Sequence, residues 1–353
     1  MNEGEGPALS AEVVLSTADL DGDMAFFTER LGFAVELVFP ADEPRIAVVS
    51  GHGIRLRLDA ETDDPPSRLR LSGAIPEQEI SRSPGGTVIE WVPDGPAYEL
   101  PPEQPTLEIV AGERAWSAGR AGMRYQDLIP ARQGGRFIAS RIRIEQGGPV
   151  PDYVHYHLIR FQLIFCWRGW VRVVYEDQGP SFVLEPGDCV LQPPGIRHRV
   201  LEASRGLEVI EVSSPAEHLT RADRDMVLPT GRMDPEREYG GQQFARFEAA
   251  RAIWTPHRLA GFEAADTGIA SATRGLASVC VVKPVAQART GLISHDGEFL
   301  FLFVLDGKLE LTTESTGAQL LGAGAAATIP RGLTHRIAAS GPELRWLEVR
   351  LPA

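Results

Sequence analysis

The chain has 353 residues, 43% hydrophobic and 24% charged, a globular composition long enough for two or three domains with cores of their own. Its 35 Lys and Arg face 48 Asp and Glu, and the resulting net charge of −13 repels phosphate backbones and anionic lipid surfaces, so neither nucleic acid nor membrane is expected as a partner. The acidic residues 1–5 lack the basic and then apolar pattern of a signal peptide, and no apolar run approaches bilayer length, which predicts a soluble, cytoplasmic protein. Three widely spaced cysteines, Cys166, Cys189 and Cys280, read as small buried hydrophobes, not as a disulfide or zinc-thiolate framework.

In chain order, residues 12–15 are strand-like. Leu20, Met24, Phe27 and Leu31 then recur at helical spacing between an N-cap at Thr17 and a stop at Gly32, which predicts a helix of about three turns. Strand-like runs follow at 34–39, 45–49 and 54–58, for an order β-α-β-β-β. Residues 60–67 and 93–105, rich in Pro and acidic side chains, read as loop or linker, with a further strand-like run at 87–92 between them. Beyond this point 36 Gly and 27 Pro are scattered through short β-branched and aromatic runs, as in many short strands joined by tight turns.

Over residues 11–60, the strand, the Asp-Leu helix start, Phe26-Phe27, the Leu31-Gly32-Phe33 turn and three strands resemble one module of the glyoxalase/bleomycin-resistance (vicinal oxygen chelate) superfamily. Glu12 stands where that family often places a metal ligand. An active member uses two such modules, and no second copy of the pattern is present here. One carboxylate cannot saturate a metal, so this module is expected to serve docking or dimerisation, with Glu12 solvated.

The remainder is duplicated. Gly187, Pro193, Gly195 and His198 recur as Gly324, Pro330, Gly332 and His335 at a constant offset of 137, and His157 and Gly169 recur as His295 and Gly307 at 138. A Gly at a strand end permits positive φ in a tight turn, and Pro-x-Gly ends one strand and places the next His on another. Gly148 followed by His155-Tyr156-His157, Gln162 and Gly169, and then Gly187, Pro193, Gly195, His198 and Glu202, resemble the two motifs of the cupin superfamily, with Gln in place of the first motif's Glu and Glu202 in place of the second motif's Asn. The resemblance covers about residues 121–350 and implies a mainly β chain of two cupin jelly-roll barrels in tandem, a bicupin, behind the N-terminal α+β module. The corresponding divisions are 1–95 for the module, 96–120 for a linker, 121–215 for the first barrel, 216–275 for an inter-barrel segment and 276–353 for the second barrel.

Residues two apart on a strand share a face, so His155 and His157 point into the first barrel, and His198 joins them from another strand. The resemblance implies a metal there. Three neutral imidazoles suit Fe(II) first, with Zn, Mn, Ni or Cu as alternatives, one ion per chain, and they leave positions open for substrate or dioxygen. Gln162 offers a neutral, weaker oxygen or no ligand at all, which leaves more charge on the metal. By the same alternation Tyr153 joins the histidine face, Cys166 and Arg168 join Gln162, and Glu202 joins His198. Glu202 is then a candidate general base or a rim carboxylate paired with Arg197 or Arg199. Arg168 is a substrate clamp or an outward-facing charge, and Cys166 a reactive or an inert buried thiol. Asp188 and Arg160 read as surface charges.

In the second barrel, Ile293, Leu300 and Ala339 replace the counterparts of His155, Gln162 and Glu202. Only His295 and His335 remain, and Glu298 would have to swing inward to complete a site, so this barrel reads as structural. Its Phe299, Phe301 and Phe303 are expected to divide between core and inter-barrel contact. The histidine set is similar to that of thiol, diketone-cleaving and gentisate-type dioxygenases, and implies a non-haem Fe(II) dioxygenase acting on a small chelating molecule. A redox-neutral isomerase, lyase or cyclase and a non-catalytic small-molecule-binding protein are the alternatives. A homodimer is expected from the open sheet edges.

Overall fold

The computed structural model describes residues 10–73, 82–93, 98–112, 114–286 and 288–352, and the chain divides into two compact units, Met1–Pro96 and Ala97–Ala353. The acidic residues 1–5 and residues 94–97 of the Pro-rich stretch lie outside the described residues. Among those described, no helix is long and apolar enough to cross a membrane.

The first unit has the expected β-α-β-β-β order. Strands β1 (Val13–Ser16), β2 (Ala34–Phe39), β3 (Ile46–Gly51) and β4 (Ile54–Asp59) form one sheet in the order β1-β4-β3-β2, with β1 parallel to β4. The helix is α-helical over Leu20–Ala25 and π-helical over Phe26–Arg30. The wider π turn puts an extra residue into each repeat, so Phe26 and Phe27 are both buried. Its cap is Asp19 and not Thr17: the Asp19 carboxylate accepts from Gly22 N at 3.0 Å, whereas the Thr17 hydroxyl accepts from Asp19 N at 3.2 Å. Glu12 is exposed, as expected, and pairs at the surface with Arg55 at 3.3 Å, which also pairs with Glu36 at 2.7 Å. Residues 87–92 belong to this unit, where β6 (Val88–Pro93) runs parallel to β5 (Arg68–Gly73).

The second unit is mostly β and carries the two jelly rolls. In each, a seven-stranded sheet has one face toward its own lumen and the other toward the opposite barrel. Alternation makes this legible on single strands. Along Phe161–Arg168, residues Phe161, Leu163, Phe165 and Trp167 enter the core shared by both barrels, while Cys166 and Ile164 pack in the first lumen. Along Phe299–Asp306, Phe299, Phe301, Phe303 and Leu305 enter the shared core and Leu300, Leu302 and Val304 the second lumen. All three phenylalanines therefore serve the inter-barrel contact, where Phe137 stacks on Phe299 at 4.0 Å and Trp167 Nε1 donates to Leu305 O at 3.2 Å.

Two charges expected elsewhere are structural. Arg160 is no surface group: it donates to both oxygens of Glu298 at 3.0 Å, Arg136 binds the same carboxylate, and the three side chains are only 15%, 3% and 16% exposed, respectively. Glu298 therefore ties the two barrels together and is not available to the second lumen. Asp188 is buried too, accepting from Glu185 N and Ala249 N. Short strands from residues on either side of the barrels complete the sheets: Glu108–Val110 extends the second barrel's sheet, while Ser117–Ala118 and Ala245–Phe247 lie at the edges of the first barrel's.

The repeated glycines explain the duplicated turns. Gly169 and Gly307 both sit at φ +72°, and a Cβ on either would lie 3.1 Å or less from the backbone of Leu207 or Leu344.

Candidate metal centre

Strands His155–Leu158 and His198–Ala203 are antiparallel neighbours with His155 directly opposite His198, and alternation carries His157 to the same face. The imidazoles lie with ring centres 4.2 Å (155 and 198), 5.3 Å (155 and 157) and 5.3 Å (157 and 198) apart, and one donor atom from each falls within 4.8 Å of the others. Each ring is oriented from behind through Nδ1. His155 Nδ1 donates to Tyr153 O at 2.8 Å and His198 Nδ1 to Ile196 O at 3.0 Å, because a carbonyl can only accept, and His157 Nδ1 pairs with Thr220 Oγ1 at 2.8 Å. This leaves the Nε2 lone pairs for a metal, as is usual for ligating histidines. Burial holds all three imidazoles below the ordinary histidine range, His157 and His198 far below it; neighbouring imidazoles add to this at His157 and His198 and the Arg120 guanidinium adds to it at His155, so the neutral, ligating form prevails.

Gln162 lines the same cavity as His157 and His198. Its Nε2 donates to Glu211 Oε1 at 2.6 Å, and its buried Oε1 has no hydrogen-bond partner. A buried amide oxygen without a donor is what a cation would satisfy, so this set of three imidazoles and one neutral oxygen fits a divalent ion. Arg120 is adjacent. Its Nη1 pairs with Asp152 at 2.5 Å and its Nη2 donates to His155 Nε2 at 2.7 Å, so a metal ligated by His155 takes over a lone pair that Arg120 engages.

The site opens into a cavity of about 360 Å³, walled by aliphatic side chains such as Ile138, Ile142, Val171 and Val209, with Tyr175, Gln192, Glu211 and His218 as polar points. Tyr175 Oη accepts from Gln192 Nε2 at 2.7 Å. The His218 ring lies 5.3 Å from that of His157.

Four expected pocket residues are not among those that line this cavity. Glu202 is half-exposed and pairs with Arg172 at 3.4 Å, not with Arg197 or Arg199. The cause is a β-bulge: Val173 pairs with Val200 and Arg172 with Glu202, so the alternation counted from His198 breaks at Leu201. Arg168 is turned outward over the Trp167 ring at 3.9 Å, after a second bulge between Cys166 and Arg168. Tyr153 precedes its strand and is 42% exposed; it touches the site through its carbonyl and through an edge contact of its ring with that of His155 at 5.9 Å, outside the cavity. Cys166 is fully buried in the first barrel's apolar core, where its thiol donates to Gly169 O at 3.5 Å and burial pushes it up to about 12, an inert state.

Arg120, Glu211 and His218 were not evident from the motifs. Glu211 did carry a signal, because it recurs as Glu348 at the same offset of 137 as the histidine motif. Arg120 and His218 lie outside both motifs, and only the folded chain brings them to the cavity. In the second barrel, His295 Nε2 pairs with Ile329 O at 2.7 Å, its ring centre is 6.5 Å from that of His335, and among the described residues no third imidazole completes a metal-binding group with them.

Residues 280–350 match the family model of the cupin domain. No curated protein matches the chain. Among solved structures it is similar to a protein of Pseudomonas aeruginosa described as glyoxylate-induced, at 13% identity over 71% of this chain and 91% of that one, with a TM-score of 0.52. It is also similar to an oxalate decarboxylase from Bacillus subtilis, at 16% identity over 65% of this chain and 72% of that one, with a TM-score of 0.46. At these identities the likeness is one of fold.

Proposed function

From a chain of the cupin superfamily with its two barrels in tandem, we infer a mononuclear metal-dependent enzyme, a three-histidine Fe(II) dioxygenase acting on a small substrate that chelates through two oxygens. The observation that carries this reading is the donor set itself: three imidazoles turned by their Nδ1 contacts so that Nε2 is the remaining donor, that of His155 now engaged by Arg120, and a neutral amide oxygen in place of a carboxylate. Such a set leaves both charges of a divalent ion uncompensated and favours an anionic, bidentate ligand. Iron, when bound, supplies the redox chemistry. The chain's own residues do the rest: the aliphatic walls exclude water, and Arg120 presents a guanidinium to a substrate anion.

A second reading, a redox-neutral isomerase, lyase or cyclase using Zn, Mn or Ni, is favoured by one observation: a carboxylate, Glu211, and a further imidazole, His218, share the cavity with the triad. These groups are placed to hold or move a proton, a role that Glu202 cannot fill from outside.

The test is metal content and oxygen uptake of anaerobically purified protein. The dioxygenase reading expects iron in the first barrel, lost in His155→Ala and in His198→Ala and retained in His335→Ala, with oxygen consumed on addition of diketones, phenolic acids or thiols. Turnover with zinc or manganese and no oxygen dependence establishes the second reading. Equal loss of iron from His198→Ala and His335→Ala refutes the assignment of the site to the first barrel.

A further inference from the structure

The second lumen holds a polar cluster that the histidine motif does not include. Cys280 and Glu348 are direct cross-strand partners on Ser278–Pro284 and Arg345–Leu351, and their alternation puts them on the face that carries Val282 and Trp346 into the lumen core. His257, which immediately follows strand Trp254–Pro256, completes a triad: one donor atom each from imidazole, thiol and carboxylate lies within 4.8 Å of the others. His257 Nε2 is 3.6 Å from Glu348 Oε1, and the two side chains are 7% and 2% exposed.

The hydrogen bonding is incomplete. Arg258 donates to Glu348 Oε1 at 2.9 Å, whereas Glu348 Oε2 and His257 Nδ1 are buried without a partner. Each such atom destabilises the fold unless something satisfies it. The duplication bears on this as well. It places a lumen carboxylate at the same position in both barrels, beside the Gln162 amide as Glu211 in the first and beside a thiol and an imidazole as Glu348 in the second.

We propose that the second barrel binds a zinc-class divalent ion through His257, Cys280 and Glu348, at a site separate from the histidine triad. A thiolate, an imidazole and a carboxylate together select a borderline-soft ion over magnesium or calcium. Thiolate and carboxylate balance the ion's two charges. On binding, the S–H bond of Cys280 breaks as the S–metal bond forms and the proton passes to solvent, so affinity rises with pH.

Cobalt(II) titration of metal-free protein tests this, because only a thiolate ligand produces a sulfur-to-cobalt charge-transfer band in the near ultraviolet. The band should appear in the wild type and saturate at one equivalent in His198→Ala, which removes the first-barrel site. It should disappear in Cys280→Ser and persist in Cys166→Ser. Glu348→Gln, which keeps the thiol, should weaken cobalt binding while near-ultraviolet circular dichroism reports an intact fold. A wild type without the band, or a band that survives Cys280→Ser, overturns the proposal and leaves the first-barrel reading untouched.

Discussion

Replacing Gln162 with glutamate probes the charge pattern of the first lumen. Gln162 Nε2 lies 2.6 Å from Glu211 Oε1, so Gln162→Glu sets two carboxylates at that separation. Two full charges there repel by roughly 6 kcal/mol at an effective dielectric constant of about 20. Retaining a proton on a carboxyl of ordinary pKa, about 4.3, costs roughly 3.7 kcal/mol at pH 7, which is the smaller penalty. The folded variant therefore keeps a shared proton and loses about 3–4 kcal/mol relative to the parent at that pH. The sign follows from linkage. Above about pH 4.3 the folded variant binds a proton that the unfolded chain releases, so its stability relative to the parent falls by about 1.4 kcal/mol per pH unit as pH rises. Urea unfolding of metal-free protein from about pH 4.5, near the ordinary carboxyl pKa, to about pH 7, well above it, should show a difference that almost vanishes at the acid end. The double exchange Gln162→Glu/Glu211→Gln should recover most of the loss by restoring one amide–carboxylate bond. A pH-independent defect, or a double variant no more stable than the single one, would refute the reasoning.

The inter-barrel carboxylate should behave in the opposite sense. Burial alone would raise Glu298, but hydrogen bonds from Arg160 and Arg136 hold its carboxyl below the ordinary value of 4.5, so its contribution is present above that pH and is lost on acidification below it. Glu298→Gln should cost about 3–5 kcal/mol at neutral pH, with a gap in melting temperature from the wild type that closes as pH falls below the ordinary carboxylate value. Phe301→Ala removes a ring that is 0% exposed in the shared core and should cost about 3–5 kcal/mol in a denaturant titration without altering metal loading of the first barrel. Glu202→Gln, outside the cavity and half-exposed, should change stability by no more than about 0.5 kcal/mol and leave first-barrel metal affinity as it was.

The duplication was legible because it is written in residues whose geometry is local. A glycine at positive φ, a proline that ends a strand and a histidine two residues from another each impose their consequence within a turn or a strand, which is why the repeat and the common face of His155 and His157 follow from spacing, whereas the barrels are what the motifs' resemblance to the cupin superfamily implies. Counting by twos fails where a strand bulges. Alternation points Arg168 and Glu202 inward, but each lies across a bulge and takes the outward or rim position that the sequence also allows; a bulge depends on how two distant segments pair, so nothing beside either residue announces it.

The amino-acid sequence by itself thus determined the mostly β architecture, the tandem repeat, the three histidines and the neutral Gln162, because hydrophobic alternation and turn chemistry act over a few residues. Only the tertiary structure decided that Arg120 and His218 reach the cavity, that Arg160 and Glu298 join the barrels, and that His257 meets Cys280 and Glu348. These contacts join residues far apart in the chain, and long-range pairing in a jelly roll is set by how whole sheets close on one another, which no local pattern encodes.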